Sequence, residues 1–173
     1  IFAIIEILRP LNMILCLLAV FISAWLVGGI TSSLLPYTTL VVICFASASN
    51  ILNDMMDIHI DEVNRPERVL ISGRLQVRDA LILMSILYAI GIMASTYLQP
   101  LGSKIALIVV LPLLVLYTPL FKRIPLIGNL VVGSILGLVF LFTEAAIHGT
   151  VDKMWIPFYL ATTLSTIREL VKD

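Results

Sequence analysis

Asn50-Ile51-Leu52-Asn53-Asp54-Met55-Met56-Asp57-Ile58-His59-Ile60-Asp61 closes an apolar run in which no charged residue occurs between Pro10 and Asn53. Carboxylates at the end of such a run need a physical reason. On a helix turning about 100° per residue, Asp57, Asp61 and Asn50 all fall within roughly 60° of Asp54, so one face is expected to present three acids and an amide. Like charges stacked at this spacing repel one another unless a cation sits among them. Hard divalent cations take oxygen ligands, and magnesium typically combines a few carboxylates with substrate phosphates. The pattern therefore points to a Mg²⁺ site for a phosphorylated substrate. The plainer alternative is a solvated acidic helix end, which abutment to a membrane span disfavours.

Working outward, hydrophobic residues make up 60% of the 173-residue chain and charged residues only 13%, against about 25% charged in soluble domains. An integral membrane protein follows. Breaks at Gly28-Gly29 with Pro36, Pro100-Leu101-Gly102, Pro125 and Gly149-Thr150 help divide the apolar sequence. Six spans result, near 11–29, 36–53, 79–98, 103–121, 126–147 and 154–173. Each is about 20 residues, enough for a hydrocarbon core about 30 Å thick. The expected fold is all-α, a polytopic transmembrane bundle forming a single domain over residues 1–173.

Charge orients the bundle. With the N-terminus inside, Arg9, Arg65, Arg68, Arg74, Arg78, Lys122, Arg123, Arg168 and Lys172 fall on the cytoplasmic side, and Lys104 and Lys153 outside. This bias follows the positive-inside rule and turns the acid ladder toward the cytoplasm. Formal net charge is zero, so no bulk attraction to nucleic acid is implied. Cys16 and Cys44 lack metal-site spacing and read as packing residues. His59 and His148 stand outside any nucleophile motif, and the chain has no P-loop, which removes support for hydrolase and nucleotide-triphosphatase readings.

The acids are followed at once by Asn64-Arg65-Pro66-Glu67-Arg68 and by Ser72-Gly73-Arg74. Arginine presents a planar, permanently charged fork suited to phosphate oxygens. Acids that hold a metal, followed by bases that reach the anion it bridges, make a diphosphate cradle. Alternatively, these arginines are topology determinants paired with Asp61, Glu62 and Glu67.

Asn53-Asp54-x-x-Asp57-x-x-x-Asp61 with Asn64-Arg65-Pro66-x-Arg68 resembles the first aspartate-rich motif of the UbiA-type intramembrane prenyltransferases. Arg9-Pro10-x-Asn12 resembles the start of the family's first helix, and Tyr117 to Lys122 with Gly128-Asn129 its fourth and fifth helices. Arg168-Glu169-Leu170-Val171-Lys172-Asp173 looks like the opening of the second aspartate-rich motif. Two departures stand out: Val69-Leu70-Ile71 replaces the family's Pro-Ile-Pro, and the second motif stops at its first aspartate. The resemblance implies nine helices, so six spans read as a C-terminally incomplete domain.

The resemblance also implies chemistry. Mg²⁺ would be held by Asp54, Asp57, Asp61 and Asp173, and a prenyl diphosphate would lie beneath a cavity open to membrane lipids. Arg65, Arg68 and Lys122 would assist the departing diphosphate, Asn12, Asn50 and Asn53 would orient oxygens, and Tyr117 would face the allylic cation. The Arg168 and Lys172 pair is similar to the branch that joins a geranylgeranyl group to geranylgeranylglyceryl phosphate in ether-lipid synthesis. There the two cations would bind the acceptor's own phosphate. An aromatic quinone precursor is the alternative acceptor. A cation transporter would want acids near the bilayer midplane, and a noncatalytic lipid-binding scaffold is the third reading. Gly133-x-x-x-Gly137 is assigned to helix packing. Oligomeric state is left open.

Overall fold

The computed structural model describes residues 2–122, 124 and 126–172, with Lys172 described by its backbone alone. Asp173 therefore lies outside the described residues, as does the side chain of Lys172. The described residues contain helices and no strand. They are α1 (Phe2–Ile7), α2 (Pro10–Leu26), α3 (Leu35–Met56), α4 (Ile58–Asn64) and α5 (Val77–Ser95). The long helix α6 (Pro100–Phe121) follows, then α7 (Ile127–His148) and α8 (Trp155–Lys172).

Six of these helices coincide with the six expected spans. Among the described residues, α3, α5, α6 and α7 are long and apolar enough to cross a membrane, while α2 is apolar but shorter. Helix α8 has 18 residues and carries Arg168 and Glu169 near its end. The apolar runs thus set the number of long helices. Proline starts several of them: Pro10 in α2, Pro36 in α3 and Pro100 in α6 occupy first-turn positions, where the missing N–H has no intrahelical partner to lose. Gly149 ends α7 with φ 75°, a left-handed cap that suits glycine.

In lipid, tails are as apolar as leucine, so helices associate by close fit and internal hydrogen bonds. Helix α7 packs most extensively on α8, and α3 on α5, with α2 set against both α3 and α7. The Gly133 and Gly137 assignment accounts for the first pair. A Cβ at Gly137 would fall 2.2 Å from Thr162 Oγ1 and 2.7 Å from the Phe158 carbonyl oxygen, and one at Gly133 would fall 2.3 Å from Thr166 Oγ1. The main core joins Val20, Val41, Phe45, Ala106, Phe142 and Ala146. A separate inner cluster joins Ile7, Ile51, Val69 and Ala80. Cys44 is buried and Cys16 half-buried, both as free thiols.

Among the described residues Tyr88 Oη and Thr162 Oγ1 are buried without a hydrogen-bond partner, whereas other buried polar groups are satisfied across the bundle. Ser23 Oγ donates to the Phe140 carbonyl at 3.1 Å. Glu144, only 2% exposed, accepts the backbone N–H groups of Lys153 (3.0 Å) and Met154 (3.1 Å). Its carboxylate thereby fastens the approach to α8 onto the end of α7, using donors that have no partner of their own at a helix start.

Candidate active site

The C-terminal end of α3 carries Asn50, Asn53 and Asp54, and the helix breaks at Asp57 (φ −90°, ψ 2°) before α4 begins. The break is small: the Asp57 N–H still donates to the Asn53 carbonyl at 3.0 Å, and the Asp61 N–H to the Asp57 carbonyl at 2.8 Å. It nevertheless changes the expected single acidic face. Asp54 Oδ1 accepts from Arg68 Nη1 at 3.0 Å, and Asp61 pairs with the same nitrogen. Asp57 instead pairs with Lys122 at the end of α6. Among the described residues, no group of three acids, histidines or cysteines closes around one point as a metal cage.

Burial explains the cations. Asp57 and Asp61 are 8% and 6% exposed, and an ionised carboxylate that loses water needs a charge partner. Three different segments supply one: Arg9 from the α1–α2 junction, Arg68 from the loop after α4, and Lys122 from α6. Arg9 adopts φ 56°, ψ 74°, left-handed values that cost a non-glycine residue about 1–2 kcal/mol. Asn50 Nδ2 donates to the Leu8 carbonyl at 3.3 Å and so holds the chain just ahead of that turn.

Wide turns position the α6 residues. Helix α6 widens to π geometry over Ile105–Val110 and again over Tyr117–Phe121, and the Lys122 N–H reaches back five residues to the Tyr117 carbonyl at 2.9 Å. Such bulges are rare and frequently mark functional sites. Here the bulge lets Thr118 donate to Asn53 while Lys122 meets Asp57.

Between these helices lies a cavity of about 440 Å³, within the usual range for small-molecule sites. Its polar lining includes Arg9, Asn12, Asn50, Asn53, Tyr117 and Arg168, and its apolar lining includes Phe45, Val110, Leu114, Leu138 and Phe142. Arg168 forks onto Glu169 Oε1 through Nε (3.0 Å) and Nη2 (2.7 Å).

The structure thus brings together Asp54, Asp57, Asp61, Arg68 and Lys122 as ion-paired groups, with Asn12, Asn50, Asn53, Tyr117 and Arg168 lining the adjoining cavity. Arg65 is exposed at the end of α4 and takes part in no ion pair among the described residues. Arg74, read as part of the diphosphate cradle, pairs instead with Glu6 of α1. The expected ligand Asp173 and the side chain of Lys172 lie outside the described residues. Arg9 and Thr118 join the site without having been singled out for it. For Arg9 the charge just before Pro10 was the available signal, whereas a lone Thr118 offered none.

The UbiA prenyltransferase family matches residues 13–169. The digeranylgeranylglyceryl phosphate synthase of Methanosarcina mazei is 39% identical over 135 residues, covering 78% of this chain and 46% of that protein. The synthase of the same name from Natronomonas pharaonis is 33% identical over 170 residues, covering 98% of this chain and 61% of its own. A solved structure from work on digeranylgeranylglyceryl phosphate synthase in membranes superposes with a TM-score of 0.87 at 28% identity, covering 99% of this chain and 61% of the other. The chain spans roughly half to three-fifths of the length of these relatives.

Proposed function

Because the chain belongs to the UbiA prenyltransferase family, we propose that it serves Mg²⁺-dependent transfer of a geranylgeranyl group from its diphosphate to the hydroxyl of geranylgeranylglyceryl phosphate. The observation that carries this reading is the cavity, whose amides and arginines adjoin the acid–base cluster while its other walls are apolar. A prenyl diphosphate has the same division between charged head and hydrocarbon tail. Relatives bearing the name of that synthase support the choice of substrates.

The donor set fits magnesium in kind. Asp54 Oδ1 and Asp61 Oδ2 both contact Arg68 Nη1, so two hard oxygen donors already face one cationic centre. Asp57 and, beyond the described residues, Asp173 are the further candidates. When bound by these carboxylates, magnesium would neutralise charge on the diphosphate leaving group.

The chain's own groups supply the rest. Arg9 and Arg68 offer guanidinium forks to diphosphate oxygens, and Lys122 adds a compact positive charge beside Asp57. Asn12, Asn50 and Asn53 orient oxygens at the head of the cavity. The allylic C–O bond ionises as its electron pair leaves with the diphosphate, and the Tyr117 ring stabilises the resulting carbocation. The acceptor hydroxyl then forms the ether bond and passes its proton to the departed diphosphate, and the apolar walls keep water from taking the acceptor's place. Arg168 and Lys172 bind the acceptor phosphate. The clustering of the basic positions at one end of the bundle supports a cytoplasmic site.

A prenylated aromatic is the second reading, favoured by the Arg168–Glu169 pair, which already offsets the arginine's charge. Full-length protein in vesicles, supplied with labelled geranylgeranyl diphosphate and each acceptor, decides between them. Magnesium-dependent ether formation with the glyceryl phosphate is the expected result. Efficient prenylation of only the uncharged aromatic would overturn the acceptor assignment, and binding without diphosphate release would favour a scaffold.

A further inference from the structure

Arg74 stands outside the acid–base cluster yet is tied to both segments that feed it. Its Nη1 and Nη2 grip the two carboxylate oxygens of Glu6 at 2.5 and 2.9 Å. Nη2 also donates to the Glu67 carbonyl at 2.7 Å, and Nε to Ser72 Oγ at 2.9 Å. Glu6 lies three residues before Arg9, and Glu67 is the neighbour of Arg68. Arg9 and Arg68 are the two arginines that meet Asp54. One guanidinium therefore braces both.

We propose that Arg74 is a positioning residue that holds Arg9 and Arg68 at the angle from which they receive the diphosphate, acting through Glu6 on one side and the Glu67 carbonyl on the other. The Arg9 backbone is the reason such a brace is needed. A left-handed non-glycine residue persists only where its surroundings over-determine it, and the chain ahead of Arg9 is fixed at three points. Ile7 is 1% exposed against Ile51, Val69 and Ala80, the Leu8 carbonyl accepts from Asn50, and Glu6 is held by Arg74. The first two hold α1 against α3. Ile7 also packs against Val69 beside Arg68, and the third adds the directional tie between α1 and the loop that carries Arg68. An isolated exposed ion pair contributes little to stability, but a bidentate fork within a network fixes direction, which is what two converging phosphate ligands require.

This inference rests on the proposed diphosphate chemistry, so the test has one arm that needs no turnover. In full-length protein in vesicles, Arg74→Gln should raise the KM for geranylgeranyl diphosphate about tenfold while leaving kcat and the KM for the acceptor within about twofold. Arg74→Lys, which keeps the charge but lacks the fork, should fall between. Hydrogen exchange should quicken at the Leu8, Arg9 and Arg68 amides in Arg74→Gln and leave the α7–α8 contact unchanged. Glu6→Gln, which cuts one limb only, should quicken Leu8 and Arg9 and spare Arg68. Unchanged exchange at these amides, or an equal rise in both KM values, overturns the positioning role. Absence of turnover in the parent protein overturns the proposed reaction instead, and the exchange arm still decides the brace.

Discussion

The acid–base end of the bundle and the contact between α7 and α8 are both tightly made, but by opposite means. At the acid–base end, five segments meet through charges: α1 through Glu6, the α1–α2 junction through Arg9, α3 through Asp54, the loop through Arg68 and Arg74, and α6 through Lys122. Between α7 and α8, Gly133 and Gly137 lie against Thr162, Thr166 and Phe158 with no room for a Cβ. Charges can exchange partners when a charged ligand arrives, whereas two backbones in contact cannot. The first region is suited to binding and the second to holding the walls that binding needs.

The sharpest attempt to break that division is Asp54→Asn. It should reduce turnover by at least about a hundredfold, on the scale of losing one preorganised electrostatic contact, with the melting temperature of the purified full-length protein nearly unchanged. Chelation of divalent metal should do the same. Full activity in Asp54→Asn with excess chelator would separate the acid cluster from catalysis.

Gly137→Val asks the converse question. Overpacking of a filled contact costs about 1–3 kcal/mol, and a Cβ here meets a carbonyl oxygen as well as a side chain, so the upper part of that range is expected in a thermal or denaturant melt. Turnover per folded molecule should survive better than in Asp54→Asn. Lys122→Met comes next: losing a charge-assisted contact worth about 1.5–3 kcal/mol should weaken diphosphate binding roughly tenfold to a hundredfold, measured with the acceptor saturating.

The smallest effect lies at the edge of the charge network. Hydrogen bonding to Arg74, and then its charge, holds the Glu6 carboxyl below the usual glutamate range. A depressed carboxylate stabilises the fold above its unfolded value and loses that contribution as pH falls through the folded value. Glu6→Gln should therefore melt slightly earlier than the parent at pH 7. The gap should close as the medium is acidified past the ordinary glutamate range, and shrink in high salt. A gap that persists in acid would mean that Glu6 acts by packing rather than by charge.

Much of this was legible in the residues themselves. Uninterrupted apolar runs marked the six long helices, because a bilayer demands length and apolarity that no loop supplies. The acids of residues 54–61 were legible as a candidate site because charge at a span boundary is costly without a purpose. The break at Asp57 was not: periodicity treats a helix as continuous, whereas one residue outside helical geometry separates α3 from α4, with Asp57 paired to Lys122 while Asp54 and Asp61 share Arg68. Arg74 was read with its near neighbours in the chain, and its partner Glu6 lies 68 residues away. Thr118 beside Asn53 depends on a wide turn that no local pattern announces.

That wide turn has a consequence for how the chain can vary. Over Tyr117–Phe121, α6 accommodates one residue more than an α-turn would. Straightening those five residues to α geometry with none removed would swing Lys122 about 100° around the axis, away from Asp57. Charge would be unaltered and the apolar length of α6 scarcely changed. The site is thus specified partly by a residue count, and closing the wide turn without a compensating deletion would act as the loss of a lysine that is still present in the chain.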